Sequence, residues 1–314
     1  MTGDGHKLTP GYVARHLPPG SRLGMDIAIL DIAQDFLLAH LWSRGVFDVA
    51  SFKGGTALRK LFAGSGGRFS TDLDFAAVEP DVDRQALAGL IAAEAEVSLG
   101  PFRFRSRDVR GRWRVQVSSD FGDPSASMKL DVGPPAWLDP DVRAFVETPI
   151  QSRYGFALPS LPVMRLEEIL AEKVARLARS STARDASDLV WAATTSPHSR
   201  FARDTVRRLA VLKVWVDNHG LGPAWERALA PRRLDPDEWL APRGEWGDEE
   251  IGLLAHPQPS LHELQRELAQ CYHWLRELDG AEARWAAAKA ADRGEVIAAI
   301  RALALGALGD AHLW

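Results

Sequence analysis

FKGGTALRKLFAGSGGRFSTDLDF, residues 52–75, sets five glycines, a basic cluster and two aspartates one residue apart in one short window. Its last part, continued as TDLDFAAV (71–78), alternates polar and apolar side chains, the period of a half-buried strand. Asp72 and Asp74 then share one face, and Leu73 and Phe75 the other. The apolar pair can pack beneath helices. The two carboxylates repel each other unless a cation lies between them. Hard divalent ions such as Mg²⁺ take carboxylate and phosphate oxygens and keep several waters. Two such ions about 4 Å apart can clamp the attacking and leaving oxygens of an in-line phosphoryl displacement. Asp131, in the alternating segment MKLDV, offers a third carboxylate, either as a metal ligand or as acceptor of a proton from an attacking hydroxyl. A strand-end Asp-x-Asp that merely faces solvent is the plain alternative.

The residues before the aspartates raise the same question. VFDVASF (46–52) reads as a strand and TALRKLFAG (56–64) as a helix closed by Gly64, so KGGT falls at a strand–helix turn. Gly54 and Gly55 let a ligand approach the backbone, and Thr56 can cap a helix whose first amides favour phosphate. Lys53, Arg68 and Ser70 add an amine, a guanidinium and a hydroxyl, which completes a candidate nucleotide-binding set. An ordinary turn would explain the glycines equally well, and an ordinary surface would explain Arg68.

Outward from this window, residues 1–24 form a polar, Gly/Pro-punctuated arm, and MDIAILDIAQDFLLAHLWSRG (25–45) an amphipathic helix with Ile29, Leu30, Ile32, Phe36, Leu37 and Leu41 on its apolar side. A helix over 83–100, a hairpin over 102–121 and a strand over 127–133 follow, then a Pro-rich connection to 163. From 164 to 314 the helical period dominates, interrupted by a Pro/Gly loop at 230–248. Strands mixed with helices, then helices alone, predict an α/β (α+β) core over 25–163 and a helical domain over 164–314.

One residue of that helical part stands out. Leu166, Ile169, Leu170 and Leu177 make an apolar stripe, and Lys173 falls in its middle. Its long stem can snorkel to solvent. Alternatively its ammonium meets a triphosphate or a buried carboxylate, for which Asp185 and Asp188 in RDASDL stand ready. A purely structural Lys–Asp pair fits as well.

The bulk properties set limits. A chain of 314 residues with 46% hydrophobic and 25% charged side chains has the composition of a globular protein. It carries no apolar run long enough for a membrane helix and no leader pattern, and its lone Cys271 excludes an intramolecular disulfide framework; a cytoplasmic, monomeric protein is expected. The net charge of −4 is not that of a globally basic nucleic-acid binder. RFRSRDVRGRWR (103–114) and RFARDTVRRLAVLK (200–213) are nonetheless arginine-rich, as solvated faces or as phosphate contacts.

Taken in order, the helix ending near 43, FKGGTAL, RFSTDLDF, KLDV, EEILAEKVARL and RDASDL resemble the AbiEii/AbiGii nucleotidyltransferase toxins of the DNA polymerase β-like superfamily, over roughly residues 25–195. The resemblance implies a polymerase β-like core with a mixed sheet, Mg²⁺, and an NTP substrate with CTP or UTP favoured. It implies Asp72 and Asp74 as metal ligands with Asp131 beside them, and Ser70, Asp72, Lys173 and Asp185 as important residues, the choice between Asp185 and Asp188 staying open. Transfer to the 3′ acceptor end of tRNA, a block of translation and a cognate antitoxin are implied too, as is phosphorylation of the Ser70 hydroxyl as one mode of neutralisation. Transfer to a protein hydroxyl, or a non-catalytic binding module, are the alternatives.

Overall fold

Alternation of side chains organises a mixed sheet of eight strands, in the order β3-β4-β5-β6-β2-β1-β8-β7. The computed structural model describes residues 5–21, 23–122, 126–179, 182–195, 201–220, 253–254 and 259–303. The chain divides into two compact units, residues 1–135 with 140–163, and residues 136–139 with 164–314. All eight strands belong to the first unit.

The strands are β1 (Ala50–Lys53), β2 (Leu73–Ala77), β3 (Ser98–Leu99), β4 (Phe102–Asp108), β5 (Trp113–Ser119), β6 (Ala126–Gly133), β7 (Asp141–Arg143) and β8 (Leu161–Val163). β2–β6 and β1–β8 run parallel and the other pairs antiparallel. The expected hairpin is β4–β5, with Arg110 and Gly111 at positive φ at its tip. The expected helix over 83–100 ends at Glu94, because Ser98 and Leu99 turn back to pair with β4. The Pro-rich connection holds two strands of three residues each, too short for a period to show.

Inward-facing Leu73, Phe75, Leu130 and Val132 are buried, as the alternation requires. Helix α2 (Met25–Ser43) is buried on nearly every side from Ala28 to Leu41, polar Asp31, Gln34 and Asp35 included. It is therefore a central helix, where the sequence suggested a one-sided amphipathic one. Its Phe36 meets Phe102, Tyr154 and Phe156 at ring separations of 5.1, 5.0 and 4.8 Å. The expected loose arm is tied down: Thr9 caps a short helix α1 (Pro10–Ala14), Val13 is buried, and Lys7 N donates to Arg153 O over 2.7 Å.

The second unit is helical in its described parts. α5 (Leu166–Arg179), α6 (Ala183–Thr194) and α7 (Arg203–His219) precede helices Leu261–Cys271, Gly280–Ala287 and Arg293–Leu303. Ser260 with Glu263, and Asp279 with Glu282, form capping boxes that start the first two of these. Residues 136–139 join this unit because Glu168, wholly buried, accepts the amides of Trp137 and Leu138 at 2.8–2.9 Å. Lys213 donates to the same carboxylate over 2.9 Å. The expected Pro/Gly loop at 230–248 lies outside the described residues.

Candidate active site

Strand register decides which of the expected residues meet. In the first unit Lys53 of β1 pairs with Asp74 of β2, and Asp74 pairs with Asp131 of β6. Residues in register project from the same face, so an amine and two carboxylates stand in one row across three adjacent strands. The Lys53 side chain leans over this row toward Gly133, where a side chain would begin to crowd its amine. Asp131 is more than half exposed and ion-paired with Lys129 over 2.8 Å. Asp72 lies just before β2, outside the ladder the sequence assigned it to, and its carbonyl accepts the Thr56 hydroxyl.

The glycine turn works differently from expectation. Helix α3 (Gly54–Leu58) starts directly after Lys53, so Thr56 sits inside it and does not cap it. The helix widens into a π turn over Arg59–Ala63, closed as predicted at Gly64. Gly54 holds φ at +81°, and a methyl there would run into the Asp74 carboxylate. A methyl at Gly55 would strike the Arg68 guanidinium and crowd the Ser70 hydroxyl. The glycines thus admit the site's own side chains against the backbone. Arg68 and Ser70 are both buried, and Arg68 donates to Phe69 O over 2.9 Å, so neither is a plain surface residue.

Among the described residues no three His, Cys, Asp or Glu side chains converge closely enough to hold a metal by themselves, the expected trio Asp72, Asp74 and Asp131 included. The donor chemistry still fits Mg²⁺. That ion characteristically takes one or two carboxylates, with substrate phosphates and water completing its octahedron. Asp74 and Asp131, side by side on adjacent strands, are hard oxygen donors of that kind.

In the second unit Lys173 does not snorkel out. It is buried, with its ammonium 2.9 Å from Asp185 and 2.8 Å from Asp188, both buried too. Thr182 caps α6, accepts from Asp185 N and donates to the Asp185 carboxylate over 2.9 Å. Burial alone would raise the Asp185 pKa; Lys173, Arg176 and the Thr182 hydroxyl outweigh it and hold the acid well below the ordinary carboxylate range. Both candidate acids share one lysine, so spacing could not separate them.

Sequence reasoning missed a buried charge cluster in the first unit, centred on Lys60. Lys60 bridges Asp31 and Asp35 at 2.9 Å each, His16 meets Asp31 at 2.6 Å, and the Tyr154 hydroxyl donates to Asp35 over 2.6 Å. Burial works against the Asp31 anion, yet Lys60, Arg59 and His16 hold its pKa well below normal. Burial and the neighbouring Asp31 charge push that of Asp35 up instead. This cluster positions the loop that carries Arg68 and Ser70. Arg59 donates to Gly64 O and Gly67 O, and Gln34 to Ser70 O over 3.0 Å. Two acids at i and i+4 on a largely apolar helix were the available signal, the same kind that singled out Lys173.

The second arginine-rich run is structural. Arg207 of α7 is buried against Glu282 at 2.7 Å, and Arg208 meets Asp279 at 3.1 Å. Among the described residues no helix is long and apolar enough to cross a membrane.

Comparison with known proteins agrees with this layout. Residues 35–292 match the family model described as nucleotidyl transferase AbiEii toxin, type IV toxin–antitoxin system. Among solved structures, MenT4, a nucleotidyltransferase toxin from Mycobacterium tuberculosis, is 36% identical, with 94% of this chain and 99% of that chain covered and a TM-score of 0.81. JHP933 from Helicobacter pylori is 18% identical over 81% of this chain and 94% of that one, at a TM-score of 0.46. No curated protein matches significantly.

Proposed function

Since the chain belongs to the AbiEii family of nucleotidyl transferase toxins of type IV toxin–antitoxin systems, we propose that it moves a nucleoside monophosphate from an NTP to the 3′ acceptor end of tRNA and so stops translation. The observation that carries this reading is the register of Lys53, Asp74 and Asp131 on one face of three adjacent strands. An attacking hydroxyl forms a bond to the α-phosphorus while the bond to pyrophosphate breaks. Asp131, exposed and next to Asp74, takes the hydroxyl proton. Asp74 and Asp131, side by side, would hold Mg²⁺ together with the substrate's phosphates, with Asp72 assigned to it through the resemblance alone; when bound the ion neutralises phosphate charge and orients the leaving group.

Lys53, Arg68, Ser70 and the amides of Gly54, Gly55 and Thr56 are assigned to the triphosphate. Lys173, Asp185 and Asp188 enter the proposal through the resemblance, with Lys173 as a phosphate ligand poised between two acids. A pyrimidine nucleotide and a cognate antitoxin rest on the same basis, and a cytoplasmic, monomeric protein completes the proposal.

The test is transfer of label from each of the four NTPs, with Mg²⁺, to total tRNA. Wild type should label tRNA and Asp74→Asn should not. NTP binding with no RNA labelled by any nucleotide would overturn the tRNA assignment, and label appearing on a protein instead would move the acceptor to a protein hydroxyl.

A further inference from the structure

The face of the sheet that carries Asp74 and Asp131 continues outward along the β4–β5 hairpin, and its composition there is one-sided. Arg103, Arg105 and Arg107 alternate on β4 with buried or half-buried Phe104 and Ser106 and are all exposed. Arg107 is in register with Arg114 of β5, and Arg114 with Lys129 of β6. Lys129 in turn reaches Asp131. A file of positive charge therefore runs from the hairpin to the edge of the acidic row. The positions interleaved with it, Gln116 and Ser127 among them, are polar, and no apolar side chain interrupts it.

Arg105, Arg107 and Arg114 make no ion pair with another described residue. Three guanidiniums held close together without counter-charges repel one another, and structural arginines such as Arg207 are paired. The chain as a whole is acidic, at −4, so this concentration is local. Alternate residues of a strand lie about 7 Å apart, a spacing comparable to that of successive phosphates in a nucleic acid strand. Guanidinium forks match phosphate oxygens in geometry as well as charge. A protein partner would call for an apolar, aromatic patch centre; nucleic-acid interfaces are polar and strongly positive.

We propose that this arginine face of β4–β5–β6 binds the phosphodiester backbone of the acceptor RNA and lays its 3′ end toward Asp131 and Asp74. The inference rests on the RNA-acceptor reading above. The contacts are to backbone phosphates, so they set affinity and register and leave nucleotide choice to other residues.

The test is binding of total tRNA to the full chain over a range of salt concentrations. It compares wild type, the triple variant Arg105→Gln/Arg107→Gln/Arg114→Gln, and Arg84→Gln, an exposed change on helix α4 (Arg84–Glu94), which packs on the sheet. The triple variant should bind about tenfold or more weakly, and its log–log salt slope should shrink by about 2 to 3 units. Arg84→Gln should match wild type, and Mg²⁺–NTP binding by all three should be unchanged, which also reports an intact fold. Wild type and triple variant binding tRNA alike, with one slope, would overturn the inference. A wild type that binds no tRNA would remove the RNA reading itself and the inference with it.

Discussion

Gly54 is where side-chain chemistry and backbone geometry press hardest on each other. At φ +81° and against the Asp74 carboxylate, it tolerates no Cβ without a shift of backbone or acid. Gly54→Ala should cost stability by about 1 kcal/mol or more and should abolish transfer, checked by urea unfolding alongside the labelling assay. Lys173 makes the opposite case, a charge that cannot be removed. Lys173→Ala leaves Asp185 and Asp188 buried without their shared cation, and should destabilise by about 3–5 kcal/mol in urea melts. Asp185 also gives a pH signature. Its folded pKa lies below its unfolded value, so its contribution is complete above about pH 4 and fades as pH falls below that. Asp185→Asn should flatten this acid-side loss when unfolding midpoints are followed from pH 6 downward. Lys173 was legible because a lysine interrupted an apolar stripe. Arg68 and Ser70 were legible as candidates, but their burial was not, since it depends on glycines that let them fold back onto the backbone.

Helix α3 and the loop after it act as one element. The Thr56 hydroxyl holds the Asp72 carbonyl, Arg59 holds Gly64 and Gly67, and Gln34 reaches Ser70 from the central helix. Thr56→Val keeps the shape and removes one hydrogen bond, a loss of about 1 kcal/mol. Its effect on kcat/KM should exceed the roughly fivefold that such an energy represents, because Asp72 loses its anchor; circular dichroism should stay unchanged. Alternation made β2, β4, β5 and β6 readable from sequence. β7 and β8 were not, because three residues give no period, and Pro162 within β8 argues against a strand. The extent of α2 was readable and its surroundings were not. Asp31 and Asp35 look like a polar face until Lys60, His16 and Tyr154 close around them.

At the scale of the whole molecule the first unit holds acids and glycines on its sheet, and the second a buried lysine between two acids among its helices. The ordered set of motifs exposed the fold class and family, while no single motif did. Of the two arginine-rich runs, one is spent on ion pairs with Glu282 and Asp279, while Arg105, Arg107 and Arg114 of the other stand open on the sheet. Charge counting cannot tell them apart, because the difference lies in partners more than 70 residues distant. The central claim is that Asp74 and its neighbours in register catalyse nucleotide addition to an RNA 3′ end. Its most direct test is sequencing of RNA 3′ ends from cells expressing wild type or Asp74→Asn. Untemplated nucleotides on tRNA acceptor ends with wild type, absent with Asp74→Asn, are the predicted result; unextended ends in cells that wild type has arrested, or equal extension by Asp74→Asn, would contradict it.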